Sequence, residues 1–251
     1  MKMINKLALV LMASTAINAA SAEEIQAAVA ANFTAAMKDI VAKYEEQSEN
    51  TVALSFGSSG KILAQIQNGA PFQIFFSADQ AKPEALEQAG LTVEGSRYTY
   101  AIGSLALWSV KADFVDADLT RLKSGDYNKL ALANPKLAPY GQAAIETLEA
   151  LDLTQATQDK WVQGENIAQT YQFVATGNAD MGFVALSQIM DKGHVSEGSS
   201  WIVPSALYNP IRQDAVILKI AQDNEAVKDF MNYMQSDTAH AIIQSYGYKT
   251  E

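Results

Sequence analysis

Four short stretches combine small and polar residues in a pattern suited to holding an anion. They are Val29-Ala30-Ala31-Asn32-Phe33-Thr34, Phe56-Gly57-Ser58-Ser59-Gly60-Lys61, Asn134-Pro135-Lys136-Leu137-Ala138-Pro139-Tyr140-Gly141 and Gly164-Glu165-Asn166-Ile167. Each marks a strand-to-helix turn. The first turn of a helix leaves backbone N–H groups unpaired, and the helix dipole adds partial positive charge there. Several such turns facing one cleft would make an anion site with no buried cation. Asn32 and Ser59 can add side-chain donors, while Gly57 and Gly60 let backbone approach closely. Taken singly, Asn, Ser and Gly at a helix start are ordinary caps. Only their combination points to a ligand.

The elements that must position these turns alternate along the chain. Apolar runs expected as strands are Ile25–Ala30, Thr51–Ser55, Phe72–Ser77, Leu105–Val110, Leu130–Ala133, Met181–Val184, Trp201–Pro204 and Ala215–Leu218. Between them, Phe33, Met37, Ile40, Val41 and Tyr44 recur at helical spacing, as do Ile62, Leu63 and Ile66 before Gly69. Ile145, Leu148 and Leu151, then Ile167, Tyr171 and Val174, predict two more helices, and a last one is expected from about Asn224 to Tyr246. Such alternation argues for mainly parallel sheets covered by helices. The stretch GAPFQIFFSAD, residues 69–79, fits a buried strand whose C-terminal end opens toward a site. Tyr98–Ser104 and Ser205–Gln213 are expected as two crossings between lobes. The predicted fold is thus α/β: two lobes with mainly parallel sheets flanked by helices, joined by two crossing segments, with a cleft between them. Lobe I comprises residues 23–103 and 208–251, and lobe II residues 104–207.

Composition narrows the function. Residues 1–22 carry Lys2 and Lys6, an apolar core through Met12 and a small-residue Ala20-Ser21-Ala22 end, the pattern of a cleavable signal peptide. Its removal takes away two lysines and no acid, moving the net charge from −10 to −12. Nucleic acid is excluded as a partner on that balance, since phosphate backbones require a basic surface. Cysteine is absent, which removes disulfides, thiolate metal sites, cysteine nucleophiles and a lipid-anchored cysteine together. The expected product is a free periplasmic protein without cofactor, and any anion site must be built from local dipoles. An enzyme is not expected: His194 and His240 are the only histidines, neither in a recognisable motif, and the acid pairs Glu45-Glu46 and Asp116/Asp118 read as solvated faces. A secreted hydrolase is therefore the remote alternative.

The order of AANFTAAMKDI, SFGSSGKILAQI, GAPFQIFFSAD, LALANPKLAPYGQAA, GENIAQ and DMGFVALSQI resembles that of the periplasmic molybdate-binding proteins of ABC importers, across essentially the whole chain after residue 22. The resemblance implies two α/β lobes closing over a tetrahedral oxyanion, molybdate or tungstate, in a monomer that docks on a membrane permease. It places the oxyanion contacts on Asn32 and Ser59 and on backbone N–H groups near Ala31, Tyr140 and Ile167, with no direct metal-ion ligand. One departure stands out. Many members of that family carry a tyrosine in a GxVY segment whose hydroxyl reaches the anion, whereas Gly182-Phe183-Val184-Ala185 ends on Ala185. Either the Tyr140 hydroxyl or the Asn32 side chain is expected to compensate. Sulfate, chromate and phosphate are the alternative ligands. Phosphate keeps a proton near neutral pH and profits from a carboxylate acceptor, and Glu165 is the acid nearest the implied contacts.

Overall fold

The structure, a computed structural model, describes residues 22–191, 193–195 and 197–250. The expected signal peptide therefore lies, but for Ala22, outside the described residues. Along the chain the strands are β1 (Glu24–Ala30), β2 (Thr51–Gly57), β3 (Ile74–Phe76), β4 (Tyr98–Gly103), β5 (Leu105–Ser109), β6 (Leu130–Ala133), β7 (Trp161–Gly164), β8 (Met181–Ala185), the short pair β9 (Met190–Asp191) and β10 (His194–Val195), β11 (Ser199–Ile202) and β12 (Ile211–Ile217). The helices are α1 (Thr34–Glu45), α2 (Ser59–Gln67), α3 (Ala81–Gln88), α4 (Thr120–Ser124), α5 (Pro139–Ala150), α6 (Thr154–Thr157), α7 (Ile167–Ala175), α8 (Glu225–Tyr233) and α9 (Asp237–Ser245).

Two five-stranded sheets organise the chain, in the orders β2-β1-β3-β12-β4 and β11-β5-β8-β6-β7. Both are mixed, which corrects the expectation of mainly parallel pairing. β1 runs parallel to β2 and β3, but β12 is antiparallel to β3 and β4. In the second sheet β6 is parallel to β7 and β8, while β5 is antiparallel to β8 and β11. The reason is the chain path. It leaves the first sheet through β4 and re-enters through β12, so these two strands meet head to tail. The stretches expected as bare crossings are thus strand β4 and, after a 3-10 turn at Ser205–Leu207, the start of β12, with Ile211 opposite Gly103. β7 escaped the sequence reading altogether. The last helix is two helices, because Ser236 starts α9 by accepting the Ala239 N–H at 3.2 Å.

The apolar runs read continuously because both faces of each sheet are covered. In β3, Ile74 and Phe76 face the core under α1, α8 and α9, and Phe75 faces the other side with Ile62, Ile66 and Leu86. Leu105 and Leu107 of β5 likewise pack toward α5, while Ala106 and Trp108 turn to Val174 of α7. GAPFQIFFSAD is therefore a core strand flanked by helices, and the apolar side of its pattern is packing. Ser77 and Asp79 after it do edge work: they hydrogen-bond to each other at 3.0 Å, and Asp79 Oδ1 accepts the Lys82 N–H at the start of α3.

The first core is closed by an aromatic group in which Phe230 meets Tyr44 and Phe76 edge-on, with ring centroids 5.0 and 6.3 Å apart. Phe230 is fully buried. Phe230→Ala should destabilise the fold by about 3–5 kcal/mol. The check is the urea midpoint, and a shift worth less than about 1 kcal/mol would contradict this packing.

Candidate functional site

All four small-residue turns follow C-terminal strand ends and converge on one narrow pocket. β1 delivers a 3-10 turn, Ala31–Phe33, and β2 delivers the start of α2. From the second sheet, β6 leads to the start of α5 and β7 to the start of α7. The walls hold Ala31, Asn32, Ser59, Tyr140 and Ile167 together, so the structure gathers all five sequence-derived positions in one place. Ser58, Ala78 and Asn166 also line it, and no lining residue is ionisable at neutral pH.

Donor bookkeeping shows what each turn offers. In α5 the first residue is Pro139, which has no N–H, and the Gly141 and Gln142 N–H groups go back to Ala138 O at 2.9 and 3.2 Å. That leaves the Tyr140 N–H for the pocket. Gly141 is what lets this turn sit tight on β6, since a Cβ there would lie 2.2 Å from Ala133 O. In α7 the Asn166 side chain accepts the Gln169 N–H at 3.0 Å, and the Thr170 N–H goes to Asn166 O. Ile167 again keeps its own N–H. In α2 the Gly60 N–H crosses to Leu137 O of the second-sheet side at 2.9 Å, one residue from Ser59.

Ser59 is buried, and its Oγ accepts the Ala78 N–H at 2.9 Å. With that lone pair engaged, the hydroxyl proton is free to donate into the pocket. Ser58, which the sequence reading passed over, is buried with no partner for its Oγ. An orphaned buried hydroxyl requires an explanation, and a polar ligand in the pocket it lines supplies one. The signal was present in the doubled serine of FGSSGK, where only the second serine drew attention.

Two expectations about side chains change. Asn32 does not offer its amide protons to the pocket: Nδ2 donates to Gln213 Oε1 at 2.7 Å and to the Tyr248 hydroxyl at 2.9 Å. What its turn leaves facing the pocket is backbone. The Tyr140 hydroxyl is also engaged elsewhere, accepting from Gln213 Nε2 at 3.4 Å and hydrogen-bonding to the Tyr248 hydroxyl. Neither side chain therefore replaces the hydroxyl missing at Ala185, which is buried in β8 and gives its N–H to Gln188 Oε1 at 3.0 Å. Ser58 is the spare hydroxyl instead.

No acid serves the pocket. Glu165 turns outward and pairs with Lys61 at 2.7 Å, both about half exposed. A larger cavity of about 230 Å³ shares Ala78 and Pro139 with the pocket, but it carries Asp79 and Glu146. These carboxylates are engaged by Lys82 and by the Asn209 N–H, and they would repel an anion. The narrow neutral pocket is the better anion site although it is the smaller space.

Two mixed sheets that aim unpaired N–H groups and serine hydroxyls at an uncharged pocket suit the holding of an anionic solute. The comparisons with known proteins agree. Residues 25–249 match the model of the bacterial extracellular solute-binding protein family, and the chain belongs to that family. It is 51% identical over 245 residues to the molybdate-binding protein ModA of Azotobacter vinelandii, covering 98% of this chain and 97% of that one. The ModA of Rhodobacter capsulatus is 46% identical, with 92% and 90% covered. Among solved structures, the periplasmic molybdate-binding protein of Azotobacter vinelandii superposes with a TM-score of 0.87 at 38% identity, over 90% of this chain and 99% of that one. As a member of a solute-binding family, the protein is not an enzyme.

Burial holds the tyrosines behind the pocket neutral. The Tyr100 and Tyr140 hydroxyls are pushed well above the ordinary phenol value by desolvation, and Tyr248 to about 12, against the lowering effect of its hydrogen bonds to Ser187 and Asn32. Because the folded-state values are raised, their contribution to stability is intact below about pH 10, the unfolded tyrosine value, and is lost as pH rises toward about 12. The urea midpoint should therefore fall across that interval, with tyrosinate absorbance rising together with unfolding. Ionisation of all ten tyrosines in a still-folded protein would contradict it.

Proposed function

We propose that the protein captures molybdate or tungstate as the dianion and delivers it to the membrane permease of an ABC importer, acting in the periplasm after removal of residues 1–22. It works as a monomer, and no cofactor takes part. The observation that carries this reading is the neutral pocket at which four helix starts from two sheets converge. The ModA names of the relatives at 51% and 46% identity supply the ligand class.

The oxyanion would be held by the Ser59 hydroxyl and by backbone N–H groups of Ala31, Asn32, Ser59, Tyr140 and Ile167, with Ser58 as a further donor. The two lobes of this reading keep the boundaries set from sequence: residues 23–103 and 208–251, and residues 104–207. The site's donors come from both, so an anion bound by one lobe draws the other onto it. A hydrogen bond to a charged group contributes roughly 1.5–3 kcal/mol net. About five to seven of them, less ordering and desolvation, give on the order of −9 to −12 kcal/mol, a sub-micromolar Kd. Phosphate is disfavoured, because its proton would meet no carboxylate acceptor among the lining residues.

Ser59→Ala should weaken molybdate binding about ten- to a hundredfold. Glu165→Gln removes only an exposed ion pair and should change the Kd by less than about fivefold. Calorimetric titration of the two variants separates the roles. Equal molybdate affinities for Ser59→Ala and the parent would remove Ser59 from the site, and phosphate binding by the parent that collapses in Glu165→Gln would favour a protonated anion such as hydrogen phosphate.

A further inference from the structure

Behind the pocket lies a buried polar network whose centre, Gln213, touches no ligand-facing surface. Gln213 is fully buried, at the register shift in β12 next to Asp214. Its Oε1 accepts from Asn32 Nδ2 at 2.7 Å and from the Tyr100 hydroxyl at 3.1 Å, and its Nε2 donates to the Tyr140 hydroxyl at 3.4 Å. Asn32 and Tyr140 each belong to a turn that lines the pocket, one from the first sheet and one from the second. One amide thus ties both turns, and β4 makes room for it with Gly103, where a Cβ would lie 2.0 Å from the Tyr140 hydroxyl and 2.8 Å from Gln213 Nε2. The same network closes a second link between the sheets: Ser187 Oγ donates to Asn32 O at 3.0 Å, with the Tyr248 hydroxyl 2.9 Å from each.

We propose that Gln213 is the positioning residue of the anion site, fixing the Asn32 and Tyr140 turns at the spacing that the bound oxyanion requires. The inference rests on the oxyanion reading above. An amide suits the place for a physical reason. It presents an acceptor to the first-sheet turn and a donor to the second-sheet turn while staying neutral, so it adds no charge behind a dianion. A carboxylate would keep the acceptor, lose the donor and repel the ligand; a protonated carboxyl would restore both functions. Gln213→Glu therefore converts the role into a pH profile.

The groups facing position 213 leave that profile interpretable. Tyr100, Tyr140, Tyr248, Asn32 and Ser187 are neutral below about pH 10. The charges that act on Tyr100 from nearby, Asp214 and Asp79, are each paired, Asp214 with Arg97 at 2.8 Å and Asp79 with Lys82.

The experiment is calorimetry of the parent protein and Gln213→Glu with molybdate at about pH 6 and about pH 9, in buffers of different ionisation enthalpy, with a melting scan of each unliganded protein. A buried glutamate titrates upward into this range, and a dianion nearby raises it further. The parent should bind equally at both pH values without proton exchange. Gln213→Glu should bind about ten- to a hundredfold more weakly at the higher pH, recover most of the loss at the lower, and take up a proton on binding. Parent-like affinity at both pH values, or an equal loss at both without proton uptake, would overturn the assignment. Should the glutamate variant not fold at the higher pH, Gln213→Asn decides: withdrawing the amide by one methylene should weaken binding at least about tenfold, and a Kd within about twofold of the parent would refute the proposal. Absence of molybdate binding by the parent itself would instead defeat the oxyanion reading, and this inference with it.

Discussion

On the proposed reading, a doubly charged anion is held by a chain that is itself strongly acidic, and no cation lines the pocket that would hold it. That constraint governs the rest of the structure. The donors have to be backbone N–H groups and hydroxyls, so several helix starts must meet at one point. A single helix has one N-terminus. Converging four of them requires parallel strands within each sheet, β1 beside β2 and β6 beside β7, and two sheets turned toward each other. The antiparallel strands β12 and β5 serve the connection between the sheets, and β12 also carries Gln213 behind the site without lining it.

The same constraint explains what is kept out. Glu165 is drawn to Lys61 at the surface, and Asp79 and Asp214 are held by Lys82 and Arg97. Behind the pocket, burial holds Tyr100, Tyr140 and Tyr248 neutral, and the amides of Asn32 and Gln213 link them without charge. A neutral surround preserves the field of the N–H groups, whose reach is short. Hydroxyls complete the set: Ser59 accepts the Ala78 N–H and keeps its own proton to donate, and Ser58 remains without a protein partner.

Much of this was legible in the sequence. The strand runs and the helix starts appear as alternating apolar segments and small-residue turns, and apart from Ala78 the residues meeting at the pocket fall in those turns. What escaped is instructive. β4 was read as a crossing because Tyr98–Gly103 is short and only partly apolar, and its pairing depends on β12, more than a hundred residues later. Mixed pairing is a property of the path between sheets, which local pattern does not encode. The side-chain roles of Asn32 and Tyr140 went astray for a similar reason: their partner Gln213 is distant in sequence, and a polar side chain near a ligand turn is equally able to face inward. Ser58 was passed over because a serine at a helix start ordinarily caps, and only the absence of that cap shows its hydroxyl to be spare.

The central claim is that neutral donors converging from both sheets define the ligand as a tetrahedral dianion. Its most direct test is a calorimetric titration of the protein from residue 23 to 251 with molybdate, tungstate, sulfate and phosphate in turn. Tight one-to-one binding of molybdate and tungstate, with weak or no binding of phosphate, is the result the account requires. Phosphate binding as tight as molybdate, or no heat from any of the four anions, would contradict it.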